Sequence, residues 1–195
     1  MRKKILFLAG MMACCSLAGA QEISKTWVAD KGNGTYQNPV LHADYSDPDV
    51  CAAGDDFYMT ASSFIPGIPI LHSNDLVNWS LVNYALPIQE PEEFFDKAQH
   101  GKGVWAPAIR FHNGEFYIYW GDPDYGIYMI KAKDPKGRWS KPVLVKAGKG
   151  MIDPTPLWDE DGKVYLVHAY AGSRSGVNSI VVICELNAEG TEVIS

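Results

Sequence analysis

Short apolar runs separated by turns dominate the chain from residue 37 onward. Three runs rich in β-branched and aromatic residues occupy positions 57–61, 116–120 and 164–168. Each follows a turn sequence, namely Gly54-Asp55-Asp56, Asn113-Gly114-Glu115 and Asp161-Gly162-Lys163. Turns of this kind between apolar runs predict β-hairpins. Apart from a helical turn expected within residues 89–99, the pattern predicts strands, and the fold class is therefore all-β.

The hairpins belong to a repeat that proline marks. A tyrosine follows Pro48, Pro107 and Pro154 after 10, 10 and 11 residues, and the prolines are 59 and 47 residues apart. The first two units also share a Trp-Ser pair, at Trp79 and Trp139. Repeats of about this length with several short strands are typical of β-propeller blades. A β-sandwich is the alternative, but it gives no reason for the repetition. We therefore predict a β-propeller of which the chain holds about three blades.

The N-terminus has a different pattern. The basic tripeptide Arg2-Lys3-Lys4 precedes a short apolar stretch, and Ala18-Gly19-Ala20 fits a small-residue cleavage site. This arrangement predicts a secretory signal peptide over residues 1–20 and a secreted or periplasmic protein. Residues 21–36 are polar and contain glycine, so we interpret them as a leader or linker.

Composition and charge narrow the function classes. The chain is 47% hydrophobic and 21% charged, as globular proteins are, and its formal net charge of −6 without a basic stripe argues against a nucleic-acid partner. After cleavage Cys51 and Cys184 remain, both in apolar runs, and we predict buried thiols, with a single bridge left open. Lipoprotein processing at Cys14 or Cys15 is the alternative, and it is the one route by which we expect membrane attachment.

Two of the three repeats begin with Asp-Pro, at Asp47-Pro48 and Asp153-Pro154, where the second has Ala106-Pro107. Proline is tolerated at the first residue of a strand and favours an extended residue before it. We therefore expect both aspartates to point into the mouth of the central channel, where two carboxylates can divide acid and base roles. Aspartate before proline is also a common turn residue, so it is the matched position in the repeat that favours function.

Five blocks of the sequence, in order, resemble glycoside hydrolase family 43. The blocks are Asn38-Pro39-Val40-Leu41 with Ser46-Asp47-Pro48-Asp49-Val50, Gly54-Asp55-Asp56-Phe57-Tyr58-Met59 with Ser62-Ser63-Phe64, His72-Ser73-Asn74-Asp75-Leu76-Val77-Asn78-Trp79, Gly103-Val104-Trp105-Ala106-Pro107, and Ile152-Asp153-Pro154-Thr155-Pro156-Leu157. The resemblance extends from Gln37 to about Asn187. It implies a five-bladed β-propeller, with residues 37–195 forming an incomplete catalytic domain, and hydrolysis of glycosidic bonds with inversion.

The resemblance also implies roles for four residues. Asp47 would be the general base, and Asp153 would orient the catalytic acid and tune its pKa. Phe64 and Trp105 would be apolar walls of the sugar pocket, although packing within a blade explains Phe64 equally well. An inverting glycosidase keeps its two catalytic carboxyl groups about 6.5–9.5 Å apart, which leaves room for the attacking water.

One part of the family pattern is missing. The general acid of the family is a glutamate in a Glu-Gly-Pro motif, which this sequence lacks. The last glutamates, Glu185, Glu189 and Glu192, fall in a stretch that we interpret as the outer hairpin of the third blade, and none is assigned as the acid. We therefore expect the chain by itself to be inactive.

The opening block and the Gly-Val-Trp-Ala-Pro block resemble the exo-acting β-xylosidase and α-L-arabinofuranosidase members most, so xylo- or arabino-oligosaccharides are the expected substrates. An endo-arabinanase and a carbohydrate-binding propeller without catalysis are the alternatives. His72, His112 and His168 lack metal-ligand spacing, and no metal site is predicted. No cofactor is expected, with a structural calcium ion in the complete propeller left open.

Overall fold

The computed structural model describes residues 26–63, 67–97, 99 and 101–195. The signal peptide predicted over residues 1–20 lies outside this part of the chain. The first of three antiparallel sheets consists of β1 (Asp49–Ala53), β2 (Asp56–Thr60), β3 (Pro69–Ser73) and β4 (Ser80–Tyr84). The second consists of β5 (Trp105–His112), β6 (Glu115–Asp122), β7 (Gly126–Ala132) and β8 (Val143–Ala147). The third consists of β9 (Met151–Trp158), β10 (Val164–Tyr170) and β11 (Val181–Leu186). Two short helices, α1 (Glu92–Phe95) and α2 (Gly172–Ser175), lie in connections.

The three predicted hairpins are confirmed as β1–β2, β5–β6 and β9–β10. In the second hairpin Asn113 and Gly114 have φ values of 48° and 77°. Positive φ at both central residues is the requirement of a type I′ turn, whose twist matches that of the two strands. The helical turn expected within residues 89–99 is α1. A bridge between Leu186 and Val193 closes the predicted outer hairpin of the third sheet.

The second sheet is buried on both faces, and β6 gives the reason. Alternate residues of a strand point to opposite faces, and Ile118 and Trp120 pack in a cluster with the first sheet. Tyr117 and Tyr119 pack in a second cluster with the third sheet. The hydrophobic cores therefore lie between sheets, and the inner strands β1, β5 and β9 contact one another in turn. This is the arrangement of successive β-propeller blades.

Each inner strand carries the same β-bulge, in which two residues oppose one on the neighbouring strand. The pairs are Asp47-Pro48 opposite Ala61, Ala106-Pro107 opposite Trp120, and Asp153-Pro154 opposite His168. In the first blade the register follows from the backbone N–H of Ser62, which donates to the carbonyl of Ser46 at 2.9 Å. Proline fits a bulge because it has no N–H to contribute to the ladder.

Three connections join at the edge where the inner strands of the second and third blades begin. We call residues 123–125, 148–150 and 171–180 the rim loops. The N–H of Gly150 donates to the carbonyl of Pro123 at 2.7 Å, and the N–H of Ala171 donates to the carbonyl of Gly150 at 2.7 Å. These bonds tie the second blade to the third beside the predicted site.

The segment from residue 26 to residue 45 packs along the first blade. Asn78, between β3 and β4, donates to Asp30 of the segment at 2.9 Å. Within the segment the Trp27 indole donates to the carbonyl of Pro39 at 2.8 Å. Neither helix of the described ranges is long and apolar enough to cross a membrane.

Candidate active site

The bulges determine how the two predicted aspartates are presented. Asp47, Ala106 and Asp153 have φ values of 48°, 38° and 54°. The prediction of an extended residue before each proline is therefore wrong. The bulge explains the difference, because its first residue turns into the left-handed region so that two residues fit opposite one. Positive φ is uncommon for residues other than glycine, and bulges beside active sites use it to redirect a side chain.

Asp47 lies at the edge of the first blade, exposed to solvent, with one of its carboxylate oxygens fixed. The hydroxyl of Ser62 donates to Oδ2 of Asp47 at 2.7 Å. The same hydroxyl accepts the backbone N–H of Ala106 at 2.8 Å. Ser62 is buried, with 8% of its surface exposed. This chain of two hydrogen bonds joins the carboxylate of the first blade to the bulge of the second.

Asp153 occupies the matching position of the third blade, and its pKa is raised. Partial burial is the main cause, and the negative charge of Asp47 is the second. The residue as a whole remains exposed, so solvent screens part of both effects. Because Asp47 acts on the pKa of Asp153, the structure brings the two predicted carboxylates together from non-adjacent blades. Like charges that interact in this way separate the protonation steps of a pair.

Trp105 is the first residue of β5 and is half-buried. The guanidinium of Arg174, in α2, lies over its ring at 5.8 Å from the ring centroid. Arg174 also forms an ion pair of 3.1 Å with Asp124 of the rim loops. The indole is therefore held from the side of the rim loops, next to the bulge that begins at Ala106. Phe64, the other predicted wall of the sugar pocket, lies outside the described residues.

Sequence reasoning missed three residues of this site: Ser62, Asp124 and Arg174. Ser62 lies in one of the family-like blocks, but its contact depends on the bulge register, which the sequence pattern does not reveal. Arg174 and Asp124 occur in stretches of ordinary loop composition. Nothing in the sequence marks them, because their contacts join different blades.

The three histidines and the glutamate Glu185 considered in the sequence make structural contacts. His72 forms a hydrogen bond with Asp56, and His112 stacks on Trp158. His168 is buried, and that burial is the main cause that lowers its pKa. Within the described ranges no group of residues has a metal-ligand arrangement. Glu185, on the outer strand β11, pairs with Lys163 at 3.1 Å.

The predicted buried thiols are confirmed, since Cys51 and Cys184 are both free and buried. Burial is also the main cause that raises the pKa of Cys51 to about 12. Neither cysteine takes part in a disulfide bridge in this structure.

The chain is similar to known proteins over most of its length. The profile described as Glycosyl hydrolases family 43 matches residues 36–195. A β-xylosidase of Formosa agariphila is 35% identical over 191 residues, which cover 90% of this chain and 32% of that protein. The non-reducing end α-L-arabinofuranosidase BoGH43B of Bacteroides ovatus is 38% identical over 139 residues, which cover 68% of this chain and 26% of that protein.

Comparison with solved structures gives the same family as comparison with sequences. The crystal structure of the GH43 protein BlXynB from Bacillus licheniformis aligns with a TM-score of 0.66 at 32% identity and covers 82% of this chain and 32% of that one. The chain thus spans about a third of the length of the relatives it matches. Its three sheets are about three blades of a five-bladed β-propeller, and the chain belongs to glycosyl hydrolase family 43.

Proposed function

We propose that this chain is the N-terminal part of an exported glycosidase that releases xylose or arabinose from xylo- or arabino-oligosaccharides. The observation that carries the proposal is the presentation of Asp47 and Asp153 by matched bulges of two blades, near enough for the charge of Asp47 to contribute to the raised pKa of Asp153. The names of the relatives, a β-xylosidase and an α-L-arabinofuranosidase, support the substrate class.

In the proposed reaction Asp47 acts as general base and removes a proton from a water molecule on one face of the sugar. A glutamic acid that this chain does not supply protonates the leaving oxygen on the opposite face, and the anomeric configuration is inverted. Asp153 orients that acid and raises its pKa through its negative charge. Trp105 and Phe64 form apolar walls against the sugar ring.

The contacts of Asp47 support its role as the base. Asp47 accepts a hydrogen bond from the buried hydroxyl of Ser62, which fixes one of its two carboxylate oxygens. Its charge is also one of the causes that raise the pKa of Asp153, so the two carboxylates lie near one another.

Export is part of the proposal, with residues 1–20 as the signal peptide that is removed. N-terminal sequencing of the exported protein should give Gln21 as the first residue. A lipid-modified N-terminal cysteine at position 14 or 15 would instead show lipoprotein processing and a membrane-anchored protein.

The test uses the complete protein from the reading frame that contains this chain. Wild type should hydrolyse an aryl β-xyloside or an aryl α-L-arabinofuranoside, and NMR should detect the inverted anomer first. Asp47→Asn should lower kcat at least about a hundred-fold, the range of general-base catalysis, while the fold is kept. Asp55→Asn, in the exposed β1–β2 turn, is the matched control and should leave turnover unchanged.

Two results would contradict the proposal. Near-normal turnover of Asp47→Asn would remove Asp47 as the base. Binding of pentose oligosaccharides by wild type without turnover would instead favour a carbohydrate-binding propeller. Reading the frame beyond residue 195 provides a further check, because the proposal requires a Glu-Gly-Pro motif there.

A further inference from the structure

The hydroxyl of Ser62 is the one described side-chain group that both touches Asp47 and reaches another blade. It donates to Oδ2 of Asp47 at 2.7 Å and accepts the N–H of Ala106 at 2.8 Å. Ser62 is 8% exposed, so solvent does not compete freely for this hydroxyl. The N–H of Ala106 polarises the hydroxyl, and bonds in such a chain strengthen one another.

The repeat shows that this hydroxyl is not a general feature of a blade. Ser62 lies opposite Ser46, the residue just before the bulge of the first blade, and the equivalent positions opposite Trp105 and Ile152 are Gly121 in the second blade and Ala169 in the third. Three equivalent backbone positions therefore carry a serine, a glycine and an alanine. The serine occurs in the blade that carries Asp47, whereas the blade that carries Asp153 has the alanine.

We propose that Ser62 is a positioning residue that selects Asp47 as the correctly aimed carboxylate of the pair. The inference rests on the proposed function, in which Asp47 is the general base. With Oδ2 fixed by the hydroxyl, the carboxylate cannot rotate freely, and Oδ1 is presented to the attacking water. The hydroxyl is itself held by the N–H of Ala106. The orientation of the Asp47 carboxylate is therefore fixed relative to the second blade, which also supplies Trp105.

The contrast with Asp153 supports this selection. Burial and the charge of Asp47 raise the pKa of Asp153, and no hydrogen bond offsets them in the described part of the chain. The two aspartates share the same bulge and the same positive φ, so backbone geometry does not distinguish them. The residue opposite the position just before the bulge, Ser62 in the first blade and Ala169 in the third, does distinguish them.

The experiment measures kcat and KM separately in the complete protein with an aryl pentoside. Ser62→Ala should lower kcat about ten- to a hundred-fold, the range for a hydrogen bond to a charged group, with KM within about two-fold. Ser62→Thr keeps the hydroxyl and should recover most of kcat. Ser80→Ala, on β4, is the matched control and should match wild type.

A double-mutant cycle separates this role from a structural one. On an Asp47→Ala background, Ser62→Ala should cause no further loss of kcat, because its partner is already absent. An additive loss in the double mutant, or a Ser62→Ala enzyme with wild-type kcat, would overturn the inference.

A measurement without turnover keeps the inference testable if wild type proves inactive and the proposed function fails. The ¹³C resonance of the Asp47 carboxyl, assigned by its loss in Asp47→Asn, should move at fixed pH in Ser62→Ala and stay in place in Ser80→Ala. An unmoved resonance would contradict the contact whether or not the protein is an enzyme.

Discussion

Replacing Asp122 with asparagine should stabilise the protein at neutral pH. Asp122 ends β6 and is 1% exposed. Its carboxylate accepts the N–H of Asp124 at 2.9 Å and the side-chain amide of Gln89 at 2.8 Å. Burial nevertheless dominates and raises the pKa of Asp122 from 3.8 to about 6. The ionised form is therefore disfavoured in the folded protein relative to the unfolded chain.

The size and sign of the effect follow from this difference. At 1.36 kcal/mol for each pKa unit, a pKa that rises from 3.8 to about 6 corresponds to about 3 kcal/mol. Below about pH 4 Asp122 is protonated in both states, and the full contribution to stability is present. As the pH rises through about 6 the folded protein must also ionise this group, and that contribution is lost. Asparagine does not titrate, so the Asp122→Asn variant should keep this contribution to stability as the pH rises.

The structure accommodates asparagine because the hydrogen bonds can be kept. The new side-chain oxygen can accept the N–H of Asp124 as the carboxylate does. Oε1 of Gln89 is buried and has no hydrogen-bond partner among the residues that the structure describes. If the Gln89 amide rotates, Oε1 accepts from the new side-chain N–H₂ while Nε2 moves to the position that Oε1 now occupies, so the number of hydrogen bonds is kept.

The assay is urea or thermal unfolding of the complete protein between pH 4 and pH 8. The difference in unfolding free energy between Asp122→Asn and wild type should grow with pH to about 3 kcal/mol at neutral pH. Asp55→Asn, which removes a charge from an exposed turn, should follow the wild-type curve. A variant that is less stable than wild type at pH 7, or a difference that does not change with pH, would refute the reasoning.

Two further substitutions test how the blades and the rim loops support the site. Gly121→Ala should lower the free energy of unfolding by about 1–3 kcal/mol and turnover at least about ten-fold. A Cβ at this position would lie 2.7 Å from a backbone oxygen of β9 and would displace the strand that carries Asp153. Unchanged unfolding and turnover would contradict the close approach. Arg174→Ala should raise KM for an aryl pentoside about two- to five-fold, because Trp105 loses the cation that holds its ring; an unchanged KM would mean that this contact does not shape the sugar pocket.

Much of the fold was predictable because its signals are local. The Asn113-Gly114 turn needs only residues that tolerate positive φ, and the apolar run that follows it alternates between two buried faces. The proline-marked repeat indicated blades, and it singled out Asp47 and Asp153 through their matched positions. These features depend on neighbouring residues or on a count along the chain, so a single sequence contains them.

The contacts that define the site required the tertiary structure. Ser62 and Ala106 are 44 residues apart, and Arg174 comes from a different blade than the indole it covers. The bulges were missed for a related reason, since the residue before proline is extended when local sterics alone decide. Here the pairing of whole strands requires two residues opposite one, and Asp47 and Asp153 take positive φ. The sequence by itself therefore determined that Asp47 and Asp153 occupy matched positions of the repeat, whereas the packing of blades decided how each is aimed and which one a buried hydroxyl holds.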